Sequence, residues 1–365
     1  MLLSEVIKET IQKEGPLSFY DFMDLALYHP SLGYYNSDKN KIGKGGDYYT
    51  SPVLSSLFGA MIAKQIEEMW HVLDKKPFTV VEYGAGTGAL CSDILDHLKK
   101  NRPLYDQLNY CIIEKSSTMR HQEQGLLHEK VSWHNSISGI PDLTGCVLSN
   151  ELLDNFPVHK VVMKEELMEV FIDYQNGFVE RLRPASKQLL DYFLQQNIVL
   201  PEGYSTEVNL QAIDWITDVA ANLKQGFVLT IDYGFTAGEL YNASRNSGTL
   251  VCFKDHKVNY SPYSNVGQQD ITVHVNFSAL DLWGKKNGLE LTGFTTQTHF
   301  LRSLGLMNYL RNLELSATDE KSRASIFQIN KLLLDMGNKF KVLIQQKGVK
   351  SKFLSGIQFS IPINT

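Results

Sequence analysis

Apolar positions along this chain follow two rhythms. Up to about residue 35 they recur at helical spacing, with Gly15-Pro16 parting a first helix from a second over 18–27. A polar, glycine-rich stretch, 36–46, comes next. After Gly45-Gly46-Asp47-Tyr48-Tyr49-Thr50, the pair Ser51-Pro52 is expected to cap a helix through Leu57, Phe58, Met61, Ile62 and Ile66. The rhythm then switches repeatedly: strand 78–83, helix 88–100, strand 110–114, helix 117–127, a short strand near Val131-Ser132-Trp133, and strand 146–149. Strands alternating with helices predict an α/β fold with a mostly parallel, doubly wound sheet that binds ligand at its carboxyl edge.

The second half is more mixed. Residues 158–183 read as a β-hairpin or meander turning at Gln175-Asn176-Gly177. Helices over 186–195 and 209–223 lead to a buried strand, 227–232, closed by Asp232. Residues 235–275 read as polar and loop-rich. A helix at 277–287, a strand at 289–294, helices near 299–313 and 318–335, and a strand at 340–344 complete the pattern. The expected organisation is an N-terminal helical region with a lid loop, 1–75, and a domain over 76–365 with insertions at about 158–205 and 235–276.

The candidate chemistry begins where the first of these strands ends, at Val80-Val81-Glu82-Tyr83-Gly84-Ala85-Gly86-Thr87-Gly88. Alternate glycines after a buried strand permit a tight turn and close approach of backbone to a ligand. Read leniently, Gly84, Gly86 and Ala89 also fit a dinucleotide fingerprint, so an NAD-dependent oxidoreductase stays open on the glycines alone. Glu82 argues against it, because a pyrophosphate gains nothing from a nearby carboxylate, whereas the ammonium and sulfonium of S-adenosylmethionine do. Glu114 closes the next strand, where a carboxylate can accept hydrogen bonds from ribose hydroxyls. No Gly-Lys-Ser/Thr follows the turn, which excludes a P-loop.

Composition narrows the rest. A net charge of −5 over 365 residues, with no long basic run, gives no pull toward nucleic acid. Cys91, Cys111, Cys146 and Cys252 are isolated and read as reduced core thiols, and the histidines show no metal-ligand spacing. The first residues resemble neither a signal nor a transit peptide, and no apolar run reaches membrane-spanning length. A cytoplasmic, bacterial-like setting is expected, with no metal, no membrane partner and an open oligomeric state.

The strand at 146–149 empties into Ser149-Asn150-Glu151-Leu152-Leu153-Asp154-Asn155-Phe156-Pro157. Glu151 and Asp154 could hold a cationic or protonatable nitrogen, and paired acids suit a planar guanidinium. The competing reading makes Asn150 a helix cap followed by an acidic first turn. His256 is either a site residue or an ordinary loop histidine, and Asp47, Tyr48 and Tyr49 either a lid or a plain turn.

Taken in order, Gly45 to Pro52, Glu82 to Gly88, Ser149 to His159, Ile231-Asp232-Tyr233-Gly234-Phe235, Gly248-Thr249-Leu250, His256 and Gln269 to Phe277 resemble the MidA-like methyltransferases. This is the family of the mitochondrial complex I assembly factor that methylates protein arginine. The resemblance implies a class I methyltransferase fold with a seven-stranded sheet, S-adenosyl-L-methionine as donor, S-adenosyl-L-homocysteine as product, and a protein substrate. The expected cofactor residues are Glu82, Gly84, Ala85, Gly86, Gly88, Glu114, Asp47, Tyr49 and Thr50. Glu151, Asp154, Asn150 and His256 are expected to serve the acceptor. The expected activity is methyl transfer to a protein nitrogen such as arginine; a non-catalytic assembly factor keeping the same fold is the alternative.

Overall fold

The computed structural model describes residues 2–37, 41, 43, 45–47, 50–126, 130–316, 319–350 and 353–363. Seven principal strands form its central sheet: β1 (Phe78–Tyr83), β2 (Leu108–Ile113), β3 (Val131–His134), β4 (Thr144–Asn150), β5 (Gln225–Phe235), β6 (Glu290–Thr296) and β7 (Phe340–Lys347). Their spatial order is β6-β7-β5-β4-β1-β2-β3. Neighbours from β5 through β3 run parallel, and β7 runs antiparallel to both β5 and β6. A two-residue strand, Val275–Asn276, extends the carboxyl end of β5. Strand order reverses between β1 and β4, and open sheets of this kind bind ligands in the crevice above such a switch.

The inner strands are almost wholly apolar because helices cover both faces. On one face, helices Ser56–Val72 and Ala89–Leu98 bring Phe58, Met61, Ile62, Ile66, Ile94 and Leu98 onto Val80, Leu148 and Phe227. On the other, helices Leu210–Asn222 and Phe277–Lys286 supply Trp215, Ile216, Val219, Phe277 and Leu280. Each such side chain contributes about 1.5–3 kcal/mol on burial. The link from β3 to β4 is only a short 3-10 turn, Ile137–Gly139, in place of a helix.

The N-terminal helices Leu3–Glu14 and Phe19–Tyr28 pack elsewhere. Their Ile7, Phe19, Phe22 and Leu27 join Val170, Ile172, Ile271 and Val273 in a separate core. Those partners come from both inserted regions, so the first 36 residues form one lobe with the insertions. The 158–208 insertion is an antiparallel sheet of His159–Met163, Leu167–Tyr174, Phe178–Pro184 and Ser205–Val208. It turns at Gln175-Asn176-Gly177 as its sequence indicates, with Gln175 N–H on the Gly177 carbonyl at 2.8 Å.

Three expectations are corrected. The helix expected to start at Ser51 is interrupted: Ser51–Leu54 forms one turn, Ser55 is extended at φ −160°, and its side chain caps Ser56–Val72. Residues 235–275 carry a small antiparallel sheet, Val251–Lys254, Lys257–Asn259 and Asp270–Thr272, whose strands are too short to show a period. The helix expected at 299–313 is two, Gln297–Ser303 and Leu306–Ser316, parted at Gly305 with φ +92°. Among the described residues, no helix is long and apolar enough to cross a membrane.

Candidate active site

The carboxyl ends of β1, β2, β3 and β4 open onto one cavity of about 1340 Å³. After β1 the chain turns through Gly84, Gly86 and Gly88 at φ +66°, +60° and +74°, a left-handed region that L side chains rarely adopt. Gly84 donates its N–H to the Ile113 carbonyl at 2.9 Å, and a Cβ on it would stand 2.8 Å from Leu152 Cδ1. Gly84, Ala85 and Gly86 line the cavity. Gly88 is not among the lining residues; it ends the turn, and its carbonyl takes the Ser92 N–H to start helix Ala89–Leu98.

Both acids expected around the cofactor lie where their strands predicted. Glu82 is buried and accepts the Tyr110 hydroxyl at 2.8 Å, while burial pushes its carboxyl up to about 7. Glu114 accepts the Ser116 N–H at 2.7 Å and further backbone N–H groups of Lys115 and Gly86; burial raises it to about 6. Asn135, Ser136, Ile137 and Ser138, beyond β3, border the same cavity and carried no expectation. β3 itself is expected from the sequence, but the residues after it carry no acid or glycine turn to mark them, although every parallel strand of a doubly wound sheet delivers its carboxyl end to the ligand crevice.

Thr50 and Asp47 also line the cavity. Asp47 is fully buried: its carboxylate accepts the Tyr34 hydroxyl at 2.8 Å and the Asp255 N–H at 2.6 Å, and its carbonyl accepts the His256 N–H at 3.1 Å. The segment expected to form a lid is thus fastened to the tight turn at 255–256. Tyr48 and Tyr49 lie outside the described residues.

The side expected to serve the acceptor is built by β4 and β5. β4 ends at Asn150, and Glu151 sits at φ +53°, a strained conformation for a residue with a side chain. Glu151 Oε1 accepts the Ser51 N–H at 2.9 Å and the Asn150 side-chain amide at 3.2 Å; burial pushes its carboxyl up to about 8. Asn150 therefore caps no helix, and the 3-10 turn Leu153–Asn155 has no side-chain cap. Asp232, on β5, accepts the N–H groups of Leu152 at 3.1 Å, Leu153 at 2.8 Å and Tyr233 at 2.8 Å, clamping the acidic turn.

Asp154 accepts the Asn155 amide at 2.9 Å; burial first, then Asp232, Asp270 and Glu151, hold its carboxyl well above the usual range. Asp270, missed by sequence reading, is 2% exposed and accepts the Tyr35 hydroxyl at 2.9 Å and its neighbour Ile271's N–H at 3.0 Å. Burial pushes it up to about 7. Among the main causes of the shifts at Glu151, Asp154, Asp232 and Asp270 there is no lysine or arginine. Such a cluster is costly unless a cation joins it.

His256 lies on the exposed turn between Val251–Lys254 and Lys257–Asn259, at the rim of the cavity and at φ +58°. His274, which carried no expectation, lines the cavity with its ring parallel to Tyr233, and its Nδ1 is buried without a hydrogen-bond partner. Burial and the cations Arg245, Lys339 and Lys341 push it down to about 4, so the imidazole is neutral.

The residues fit a sulfonium nucleoside. The glycine turn lies on the cavity, and Glu82 and Glu114 beside it suit a cationic, ribose-bearing ligand better than a pyrophosphate. Gln211 Oε1, Trp215 Nε1 and Asn150 Oδ1, on lining residues, are also buried without partners. Bound there, S-adenosylmethionine would supply an electrophilic methyl carbon. The chain's own task is to hold and orient the nucleophile against it.

Comparison with known proteins agrees. A profile of S-adenosyl-L-methionine-dependent methyltransferases matches residues 61–295. Over nearly its whole length the chain is similar to a COG1565-superfamily protein from Burkholderia thailandensis solved with S-adenosyl-homocysteine, with TM-score 0.87 and 29% identity, covering 98% of this chain and 95% of that one. It is 27% identical to the mitochondrial protein arginine methyltransferase NDUFAF7 homolog of Caenorhabditis elegans, over 93% of this chain and 85% of the relative. To human NDUFAF7 it is 25% identical, over 90% of this chain and 80% of the relative. The chain belongs to the family of the profile that matches residues 61–295 and is an S-adenosylmethionine-dependent methyltransferase.

Proposed function

We propose that the chain methylates a nitrogen of a protein substrate, and specifically an arginine guanidinium. The observation that carries this reading is the cluster of Glu151, Asp154 and Asp270 on the cofactor cavity, Asp154 and Asp270 buried and Glu151 half-buried, with no basic side chain among the main causes of their shifts. A guanidinium would supply the missing charge and present its donors in a plane that two carboxylates can grip. The relatives named as protein arginine methyltransferases support the same acceptor.

Catalysis then rests on alignment. Glu151 is fixed by Ser51 and Asn150 and Asp154 by Asn155, so each carboxylate keeps its direction when a cation enters. Glu82 and Glu114 would hold the donor. The test is mass spectrometry of a lysate from a strain lacking the protein, after adding purified enzyme and methyl-labelled donor. Label on arginine supports the reading; label confined to oxygen or carbon acceptors overturns it.

A further inference from the structure

We propose that Asp270 takes up the proton released when the acceptor nitrogen is methylated, and that Tyr35 is the positioning residue that readies it. The inference rests on the nitrogen-acceptor reading above.

The geometry concerns a single hydroxyl proton. Tyr35 Oη lies 2.7 Å from Asn155 Oδ1 and 2.9 Å from Asp270 Oδ1. Asn155 cannot turn its amide to relieve the conflict, because its Nδ2 is committed to Asp154 Oδ1 at 2.9 Å and reaches the Glu151 carbonyl at 3.4 Å. Both Asn155 and Asp270 therefore face the hydroxyl with an acceptor, and one proton cannot serve both fully.

Two arrangements resolve this. With Asp270 ionised, the hydroxyl donates to the carboxylate. With Asp270 protonated, the carboxylic acid donates to Tyr35 Oη, and the hydroxyl proton swings to Asn155 Oδ1. Asp270 can thus gain a proton without losing a hydrogen bond, which a proton acceptor in a closed site requires.

Methylation of a guanidinium must release a proton. The nitrogen forms its bond to the methyl carbon, the carbon–sulfur bond breaks with its electron pair left on sulfur, and one N–H proton departs. Asp270 lines the cavity and accepts that proton on Oδ. Burial, with Asp47 nearby, raises Asp270 to about 7, close to a working pH. The other titratable groups in its field are Asp154, Tyr28 and Cys252. Each of these is held in its neutral form more firmly than usual.

The experiment uses the full chain with methyl-labelled donor and lysate from a strain lacking it, beside carboxyl carbon NMR of protein labelled at aspartate. A resonance absent in Asp270→Asn should titrate near 7 in the wild type. Tyr35→Phe removes a donor to the carboxylate and should move that midpoint upward, and the acid limb of the rate profile with it. Asp270→Asn should lower kcat about 100-fold or more, with Asp270→Glu recovering part of it. An unchanged pH profile in Asp270→Asn, or a midpoint indifferent to Tyr35→Phe, overturns the inference. Wild-type transfer to oxygen or carbon alone overturns the nitrogen reading and this inference together, and the NMR titration tells that case from the others.

Discussion

The backbone N–H of Ser51 donates to Glu151 Oε1 at 2.9 Å, joining positions 100 residues apart. One end of this contact opens the short helical turn after the glycine-rich segment, and the other is the strained residue that ends β4. A backbone donor fixes the carboxyl group's direction without supplying a countercharge, so Glu151 stays available to a cation.

Glu151→Gln keeps an oxygen for the Ser51 N–H and removes the charge. We expect methyl transfer to fall about 100-fold or more, while S-adenosylhomocysteine affinity by calorimetry changes by less than about threefold. A comparable loss of cofactor binding would show that Glu151 belongs to the donor side instead.

Burial raises Glu151 from an ordinary 4.5 to about 8 in the folded chain. The unfolded chain therefore ionises first, and as pH rises from about 4.5 through about 8 this group progressively disfavours folding. Its stabilisation is complete at the acid end of that window and lost at the alkaline end. Thermal melts between about pH 6 and 9 should show a shallower fall for Glu151→Gln than for the wild type, and parallel curves would refute the assignment.

Asp232→Asn replaces a carboxylate that accepts three backbone N–H groups with an amide that can accept at only one atom. The expected cost is about 1–3 kcal/mol. Hydrogen exchange should quicken at Leu152 and Leu153, and acceptor KM should rise more than cofactor Kd. Unaltered exchange at those two amides would mean the clamp does not hold the turn.

Ligand stabilisation separates the donor from a dinucleotide. S-adenosylhomocysteine at about 100 times its Kd should stabilise the fold by about 2.7 kcal/mol, seen as a higher Tm, while NADH should leave it unmoved. A shift with NADH instead would revive the oxidoreductase reading.

Much of the side proposed for the donor is legible in sequence because it is local. Glu82, Gly84 and Gly86 occupy one strand and one turn, so alternation, an acid and φ > 0 glycines announce it within a few positions. Glu114 is legible for the same reason. The side proposed for the acceptor is only half legible: Glu151 and Asp154 stand at a strand end, but Asp270 lies on a three-residue strand with no period to betray it. Asp232 was visible as an acid closing β5, yet its bonds to Leu152 and Leu153 depend on the parallel register of β5 with β4. Tyr35 reads as the tail of a helical region; only the packing of that region against the insertions brings it to Asp270. The break at Ser55 was hidden too, because Ser51-Pro52 is itself a good start signal and the tie from Ser51 to Glu151 is long-range.

The lobe formed by the first 36 residues and the two insertions also bears on how the enzyme matures. Tyr35 meets Asn155 and Asp270 across 120 and 235 positions, whereas the glycine turn after β1 is held by Ile113 at the end of the neighbouring strand. Stability differs from one part of a fold to another, and the contacts of such a lobe can open while the central sheet stays closed. A heat-stressed chain whose lobe opens in this way would keep the glycine turn and lose the Tyr35 contacts. Ligand retention is then a poor certificate of a competent enzyme, and quality control of a preparation should follow the Tyr35 environment instead.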